Sequence, residues 1–191
     1  MSADDRLIEV LERSRALGFL GPGPVAEHLA HARRFEALLG PGASLLDLGS
    51  GGGVPGLVLC GDLPHLTPVL LDARQGRVDA LTRAIARLGA TDRCRAVCGQ
   101  AEILGRQPEF RHRFEVVVAR SFGQLSWTLE CAAAFVTVPG RIVISAPPDP
   151  PTVDLSPLGL VLQESPDAGF LVYAAVDLCV EAVPRRSARP R

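Results

Sequence analysis

The sequence predicts an α/β fold, with an open and mainly parallel sheet that ends in an antiparallel hairpin at its C-terminal edge. Short apolar runs alternate with helical patterns five times along the chain, an order that is typical of parallel strands connected by helices. A glycine-rich loop follows the first apolar run and leads into a helix, as at many ligand sites of such sheets. The last two apolar runs, 158–163 and 170–180, are joined by a short polar connection, which predicts the hairpin.

Residues 1–40 are predicted to form a helical cap. Apolar positions over 3–17 recur at helical spacing, and a glycine- and proline-rich run then ends that helix. A second helix is expected over 25–39. His28 and His31 lie on one of its faces and could reach a common ligand, although such a pair more often marks a partly exposed face.

The glycine-rich loop spans 49–56 and follows a strand predicted over 45–48. Its glycines permit positive φ and let a ligand approach the bare backbone. Pro55 suits the first turn of the next helix, which is expected to end near Gly61. A strand, a glycine turn and a helix start bring backbone N–H groups together, so the loop is a candidate cofactor site.

This loop fits two cofactors, and it also fits a turn that serves only strand-to-helix packing. Gly51, Gly53 and Gly56 satisfy the Gly-x-Gly-x-x-Gly pattern of dinucleotide sites. Asp47, at the end of the preceding strand, would face a pyrophosphate with like charge, which is unfavourable. The same carboxylate suits the ammonium and sulfonium groups of S-adenosylmethionine. Asp47 therefore favours the methyl donor.

A second strand is predicted over 67–71 and stops at Asp72, 20 residues beyond Gly52. An acid at this position is well placed to accept hydrogen bonds from both ribose hydroxyls of a nucleoside. It could instead cap the helix predicted over 77–88. The glycine loop before it favours the ribose.

A third strand is predicted over 94–98, and the Gln100-Ala101-Glu102 turn after it is expected to border the adenine. A fourth strand over 114–119 ends at Arg120. Ligands bind at this edge of open parallel sheets, so Arg120 is expected to contact a ligand or substrate. The alternative for Arg120 is an ion pair with Asp72 or Glu102.

The remaining elements complete the sheet. A helix is predicted over 125–136, then a turn at Pro139-Gly140 and a fifth strand over 141–145. Residues 146–157 hold five of the chain's 16 prolines and show no periodicity, so a loop or lid is expected there.

The composition predicts a globular, cytoplasmic protein: 47% of the residues are hydrophobic and 21% are charged. No apolar run is long enough for a membrane span, and the N-terminus lacks a signal-peptide pattern. The five cysteines indicate reduced core residues, and their spacing predicts no metal site. We expect one domain over 1–183 and a disordered basic tail over 184–191.

The charge distribution argues against an extended RNA-binding surface. The chain has no lysine, and residues 1–184 carry 16 arginines against 21 acidic residues, a net charge of −5. Proteins that bind large nucleic acids normally present a basic surface. Only the tail and the Arg111-His112-Arg113 run do so here.

The run over 46–56, Leu-Asp-Leu-Gly-Ser-Gly-Gly-Gly-Val-Pro-Gly, resembles the cofactor loop of class I methyltransferases. Its Gly-Val-Pro-Gly ending resembles in particular the bacterial glucose-inhibited division protein B family, which methylates N7 of a guanosine in 16S ribosomal RNA. The resemblance covers roughly 25–145. Other matching runs are Leu70-Leu71-Asp72, Arg77-Val78, Gln100-Ala101-Glu102, Ala119-Arg120-Ser121-Phe122 and His28-Leu29.

The resemblance implies a Rossmann-like class I methyltransferase that uses S-adenosylmethionine and acts on 16S ribosomal RNA or the small ribosomal subunit. It implies cofactor contacts at Gly49, Val54, Ala101, Glu102 and Arg120, and Arg120 is also the candidate catalytic residue. Together with the loop and strand residues, the expected cofactor site comprises Asp47, Gly49, Ser50, Gly51, Gly53, Val54, Asp72, Ala101, Glu102 and Arg120.

Several basic positions of the family are lost in this chain. Gly76, Gln100 and Ala146-Pro147 stand where the family has lysine or arginine, which is a loss of charge and not an exchange of cations. The loss leaves two alternatives open. One is a methyltransferase that acts on a small molecule, and the other is a non-catalytic protein that binds S-adenosylmethionine.

Overall fold

The computed structural model describes residues 2–178. The six α-helices of this part are α1 (Ala3–Ala16), α2 (Val25–Arg33), α3 (Gly56–Asp62), α4 (Gln75–Leu88), α5 (Ala101–Leu104) and α6 (Leu125–Ala133). Its seven strands are β1 (Ser44–Leu48), β2 (Thr67–Asp72), β3 (Arg95–Cys98), β4 (Phe114–Ala119), β5 (Val136–Ser145), β6 (Leu160–Gln163) and β7 (Phe170–Ala175).

All seven strands form one sheet in the order β3-β2-β1-β4-β5-β7-β6. The five strands from β3 to β5 pair in parallel, whereas β7 is antiparallel to both β5 and β6. The predicted mainly parallel sheet with a C-terminal hairpin is therefore confirmed. The chain moves outward from β1 through β2 to β3 and then returns to β4 on the other side of β1, so the order reverses between β1 and β4. Open sheets of this type bind their ligands at such a reversal, beyond the carboxyl ends of the strands.

Helices cover both faces of the sheet, and the central strands are apolar on both sides for that reason. In β4, Val116 and Val118 pack in a cluster with the segment after α2, whereas Val117 and Ala119 pack in the cluster that contains α6. These four side chains are at most 1% exposed. Two-sided burial fixes where the strand ends, and therefore where Arg120 emerges from it.

Two predicted helices are shorter in the structure. The second helix ends at Arg33 and is followed by a 3₁₀ turn, Glu36–Leu38. Phe35, between them, is fully buried against Phe170 at a ring distance of 4.6 Å. The helix predicted over 125–136 ends at Ala133.

The fifth strand is longer than predicted, since the residues expected to form a turn lie within it. β5 begins at Val136, opposite Phe114, and the next regular partners are Arg141 and Val116. The residues between form an irregularity in the strand that accommodates Pro139, whose nitrogen cannot donate to the sheet.

The hairpin strands are also shorter than predicted, because β6 begins at Leu160 and β7 ends at Ala175. Residues 179–180 of the predicted last strand and the predicted disordered tail lie outside the described residues. Within residues 2–178, no helix is long and apolar enough to span a membrane. The same part of the chain holds no cluster of three or more His, Cys, Asp or Glu residues with metal-site geometry.

Candidate functional site

Three adjoining cavities lie at the carboxyl ends of the parallel strands. The main cleft, about 450 Å³, lies between Asp72, the 99–102 turn and the rings of Phe122 and Trp127. The loop cleft, about 210 Å³, lies between the glycine loop, the 19–21 segment, His28 and Arg120. The β4–β5 cavity, about 310 Å³, lies between the 121–123 turn, the start of α6 and the 144–148 segment. Gly49 lines the first two clefts, so they are continuous at the glycine loop.

The backbone N–H groups of the glycine loop are mostly used within the protein. Those of Gly49 and Ser50 donate to the carbonyl of Leu71, at 2.9 and 2.8 Å. Those of Gly51, Gly53 and Gly56 donate to Asp72 Oδ2, Ser50 O and Asp47 Oδ2. Pro55 is the N-cap residue of α3 and makes no side-chain capping hydrogen bond, whereas it was predicted to lie inside the first turn of the helix. A pyrophosphate needs free N–H donors at this place, so the loop geometry disfavours the dinucleotide.

The loop is covered by the segment that follows α1. A Cβ at Gly52 would lie 2.9 Å from the carbonyl oxygen of Phe19 and 3.1 Å from the Cα of Leu20. The guanidinium of Arg77 also lies over the ring of Phe19, with its central carbon 5.9 Å from the ring centre. Gly52 is therefore required for close approach of two backbones, and residues 19–20 form one wall of the loop cleft.

Asp47 lies beneath the loop and lines none of the three cavities. Its side chain is buried, and its Oδ2 accepts the hydrogen bond of Gly56 N–H at 3.0 Å. Its Oδ1 has no hydrogen-bond partner, and burial raises the pKa of this carboxyl to about 7. The hydrogen bond to Gly56 gives Asp47 the role of joining β1 to the end of the glycine loop, where α3 begins. Its direct contact with the cofactor stays a prediction.

Asp72 lines the main cleft and is bound to the glycine loop. Its Oδ1 accepts from the N–H of Arg74 at 2.9 Å, and its Oδ2 accepts from Gly51 N–H at 3.0 Å and from Arg77 Nη1 at 3.3 Å. The N-cap residue of α4 is Arg74, so the alternative of Asp72 as the helix cap is wrong. Oδ1 keeps one lone pair beyond its bond to Arg74, which allows a ribose hydroxyl to donate to it.

The opposite wall of the main cleft is aromatic, and the sequence reasoning missed it. Ala101 and the half-buried Glu102 border the cleft at the start of α5, as predicted for the adenine side. Phe122 and Trp127 close the other side, and the ring of Phe122 occupies the space over Gly49. Trp127 is the only tryptophan of the chain, and its position two residues into a predicted helix after the β4 edge was the available signal.

Arg120 emerges at the end of β4 and reaches into the N-terminal cap. Its Nη2 donates to His28 Nδ1 at 2.9 Å, and His28 Nε2 lies 3.1 Å from the carbonyl oxygen of Gly21. A guanidinium is only a donor, so His28 Nδ1 must accept and the ring proton must be on Nε2. Burial lowers the pKa of Arg120, and the charge of Asp47 opposes that shift.

The structure contradicts the ion-pair alternative for Arg120 and both interpretations of His28. Among the ion pairs of the described residues, the partner of Asp72 is Arg77, and Arg120 pairs with neither predicted acid. His28 is 6% exposed and bonds to Arg120, whereas His31 Nε2 lies 3.0 Å from Ser145 Oγ. The two histidines therefore serve separate partners, and neither a shared ligand nor a partly exposed face describes His28. The Arg120–His28 contact spans 92 positions of the sequence and the His31–Ser145 contact spans 114 positions. Local sequence patterns do not encode contacts over such separations.

The structure brings together eight of the ten predicted cofactor residues. Gly49, Ser50, Gly51, Val54, Asp72, Ala101, Glu102 and Arg120 line the main cleft or the loop cleft. Asp47 and Gly53 lie behind the loop surface. The Arg111-His112-Arg113 run precedes β4, whereas Arg120 follows it, so this basic run lies at the other end of a strand of about 17 Å.

The sequence of this chain matches a known protein family. A family model described as rRNA small subunit methyltransferase G matches residues 25–145. The Moorella thermoacetica protein named ribosomal RNA small subunit methyltransferase G is 34% identical over 103 residues, which are 54% of this chain and 42% of that protein. The Geobacillus sp. protein of the same name is 35% identical over 100 residues, 52% of this chain and 42% of that protein.

The chain thus matches about two fifths of the length of these relatives. The solved structure of YhhF from Escherichia coli shares the fold, with a TM-score of 0.59 and 18% identity over 82% of this chain and 88% of that one. The family match spans the glycine loop, Asp72, Glu102 and Arg120. The chain belongs to the GidB family of rRNA small subunit methyltransferase G, the glucose-inhibited division protein B family that its loop motif predicts.

Proposed function

We propose that this chain is an S-adenosylmethionine-dependent methyltransferase that methylates N7 of a guanosine in 16S ribosomal RNA. The observation that carries the cofactor assignment is the glycine loop, whose N–H donors are largely used internally while Asp72 and Glu102 present carboxylates to the cleft. Such a site suits hydroxyl, amine and sulfonium groups and repels phosphate. Family membership supports the reaction type. A ribosomal substrate would place the reaction in the cytoplasm. We also propose that residues 1–183 form a single methyltransferase domain.

The residues divide the work of binding. Asp72 would accept ribose hydroxyls through the free lone pair of Oδ1, and the main cleft would hold the adenine between the Ala101 backbone and the Phe122 ring. Arg120, oriented by His28 at the rim of the loop cleft, would bind the carboxylate of the amino-acid part. The 19–20 segment would exclude water from the loop side.

S-adenosylmethionine, when bound, supplies an electrophilic methyl group that a lone pair of the acceptor takes by in-line displacement; the sulfur leaves as a neutral thioether, and its positive charge passes to the methylated base. Guanine N7 has such a lone pair without losing a proton, so the chain needs no general base. The residues that line the β4–β5 cavity include no charged side chain, which agrees with this. Catalysis would come from alignment of the two substrates and from electrostatics.

The cofactor assignment is tested by calorimetry with S-adenosylmethionine, S-adenosylhomocysteine and NAD⁺. We expect both adenosyl ligands to bind and NAD⁺ not to bind. Glu102→Gln should weaken S-adenosylhomocysteine binding, whereas Asp79→Asn, at an exposed position on α4, should leave it unchanged. A protein that binds NAD⁺ alone would contradict the proposal.

The acceptor is tested with a labelled methyl donor and three substrates: small ribosomal subunits that lack the N7 methyl group, protein-free 16S ribosomal RNA and a small-molecule extract. We expect label in the ribosomal RNA, at guanosine N7 after nuclease digestion and mass spectrometry. Label in the small molecules alone would replace the RNA acceptor by a metabolite. Tight cofactor binding with no labelled product would make the chain a non-catalytic binder.

A further inference from the structure

The β4–β5 cavity adjoins both cofactor clefts and has a different chemical character. It shares Ser121 with the loop cleft and Phe122 with the main cleft, so a group bound in it would lie beside the occupant of both. No lining residue carries a charge, and the polar side chains are the hydroxyls of Ser121, Thr128 and Ser145. A charged occupant would lose hydration there without gaining a counter-charge, so the cavity favours a neutral group.

The size and walls of the cavity fit one planar ring system. Its volume of about 310 Å³ is at the lower end of the range for small-molecule sites. Phe122 provides an aromatic ring, the type of surface on which proteins that recognise single-stranded RNA stack unpaired bases, and Pro147 and Pro148 add apolar surface. Enzymes that modify a base within a nucleic acid also move that base out of its stack into a closely fitting pocket.

The Ser145 hydroxyl in the cavity is hydrogen-bonded to His31, a residue that does not line the cavity. Ser145 Oγ lies 3.0 Å from His31 Nε2, whereas the hydroxyl of Thr128 already donates to the carbonyl of Gln124 at 2.9 Å. The His31 ring is stacked on Phe170, with centres 5.2 Å apart and planes at 26°. It also meets the edge of Phe35 at 6.0 Å. Ser145 is therefore the polar group of this cavity whose position the fold fixes through a second side chain.

The His31 ring can support either direction of hydrogen bonding at Ser145. Burial lowers the pKa of His31, and the charges of Arg120 and Arg34 lower it further against the opposing charge of Asp167, which favours the neutral ring. If Nε2 carries the proton, it donates to Ser145 Oγ and the serine hydroxyl can donate to a ligand. If Nδ1 carries the proton, Nε2 accepts from Ser145 and the serine oxygen can accept from a ligand.

We propose that the β4–β5 cavity binds the uncharged purine base of the acceptor, splayed out of its RNA, and that Ser145, held by His31, makes the hydrogen bond that orients this base. The inference rests on the proposed methyltransferase function and names a contact of that site. Ser145 is a binding residue, and His31 is a positioning residue that acts through it.

The test compares acceptor and cofactor affinity in Ser145→Ala and His31→Phe. The phenylalanine keeps the ring packing against Phe170 and removes Nε2. We expect each variant to raise the KM for the acceptor RNA roughly 3- to 10-fold, as the loss of one neutral hydrogen bond predicts. The double variant should show little further loss, because His31 acts on the base only through Ser145. The Kd for S-adenosylhomocysteine should not change.

Two control variants and modified bases sharpen the readout. Ser126→Ala and His65→Phe are exposed and lie outside the cavity, so they should leave the KM unchanged. Synthetic RNA with inosine or 2-aminopurine in place of the target guanosine removes hydrogen-bonding groups from the base. The wild-type protein should discriminate against one of these analogues, and Ser145→Ala should lose that discrimination.

The outcomes separate this inference from the proposed function. An unchanged KM and unchanged analogue discrimination in Ser145→Ala, with methyl transfer intact, overturns the base contact and leaves the methyltransferase standing. Failure of the wild-type protein to bind S-adenosylhomocysteine, or to methylate RNA, overturns the function and the base contact together. If His31→Phe does not fold by circular dichroism, the Ser145→Ala result alone decides.

Discussion

Arg120 and His28 are joined by a hydrogen bond of 2.9 Å between a guanidinium nitrogen and the ring Nδ1. The bond connects the end of β4 with the N-terminal cap, and the other ring nitrogen of His28 bonds to the segment that covers the glycine loop. The His28 side chain therefore holds both Arg120 and the 19–21 segment in position.

Replacing His28 should release Arg120. We expect His28→Ala to weaken S-adenosylhomocysteine binding about 10-fold or more, since hydrogen bonds to charged groups contribute about 1.5–3 kcal/mol. Calorimetry measures the change. His65→Ala, at an exposed position, is the control and should bind as the wild type does. Equal affinities of the two variants would show that Arg120 does not depend on His28.

The buried Asp47 should make stability depend on pH. Its folded-state pKa of about 7 lies above the ordinary value of 3.8, so its stabilising contribution is present below about pH 4 and is lost as the pH rises to 7. Relative to Asp47→Asn, the wild-type free energy of unfolding should fall between pH 4 and pH 8 by at most about 4 kcal/mol. Urea titrations at several pH values measure this difference. Asp92→Asn, at an exposed position, should show no comparable slope.

Ser121 adopts a left-handed backbone conformation, with φ of 54°, between Arg120 and Phe122. Such a conformation costs a non-glycine residue about 1–2 kcal/mol. We expect Ser121→Gly to raise the free energy of unfolding by up to about 1 kcal/mol and Ser121→Val to lower it. The control has the opposite sign, because Ser126→Gly in α6 should destabilise by about 0.5–1 kcal/mol. Destabilisation of equal size at both sites would contradict the strain at Ser121.

The close approach at Gly52 gives a further pair of opposite effects. A Cβ there would meet the Phe19 carbonyl oxygen at 2.9 Å, so Gly52→Ala should destabilise by about 1–3 kcal/mol and weaken cofactor binding. At Gly76, in α4, a Cβ would have no neighbour within 4 Å, and Gly76→Ala should stabilise by about 0.5–1 kcal/mol. Thermal unfolding measures both changes. A Gly52→Ala protein as stable as the wild type would show that residues 19–20 do not pack on the loop.

Local patterns were sufficient where one strand or turn determines the structure. The bounds of β4 agree with the prediction because all its apolar residues are buried between two layers of helices. The glycine loop was found because its glycines are nearly consecutive, and Asp72 was found because it directly follows an apolar run. The β5 irregularity was missed because Pro139-Gly140 reads as a turn, and the partner strand that keeps it in the sheet is distant in sequence.

The partners of the site residues were less predictable. Arg120 was expected to contact a ligand or substrate, with an ion pair to an acid as the alternative, but the fold places the imidazole of His28 beside it. The Phe122 and Trp127 wall was missed because the position of Trp127 after the β4 edge does not by itself distinguish an aromatic residue of a cleft from one of a core. These relationships depend on how α2 and α6 pack on the sheet.

The position of β7 determines the order in which the sheet can be assembled. Strand β7 is the last of the seven along the chain, yet it lies between β5 and β6. The five parallel strands can pair before it is synthesised, whereas β6 has no partner in the sheet until β7 arrives. A nascent chain that has emerged only as far as β6 thus carries an open β5 edge, the type of edge at which chains pair wrongly and aggregate.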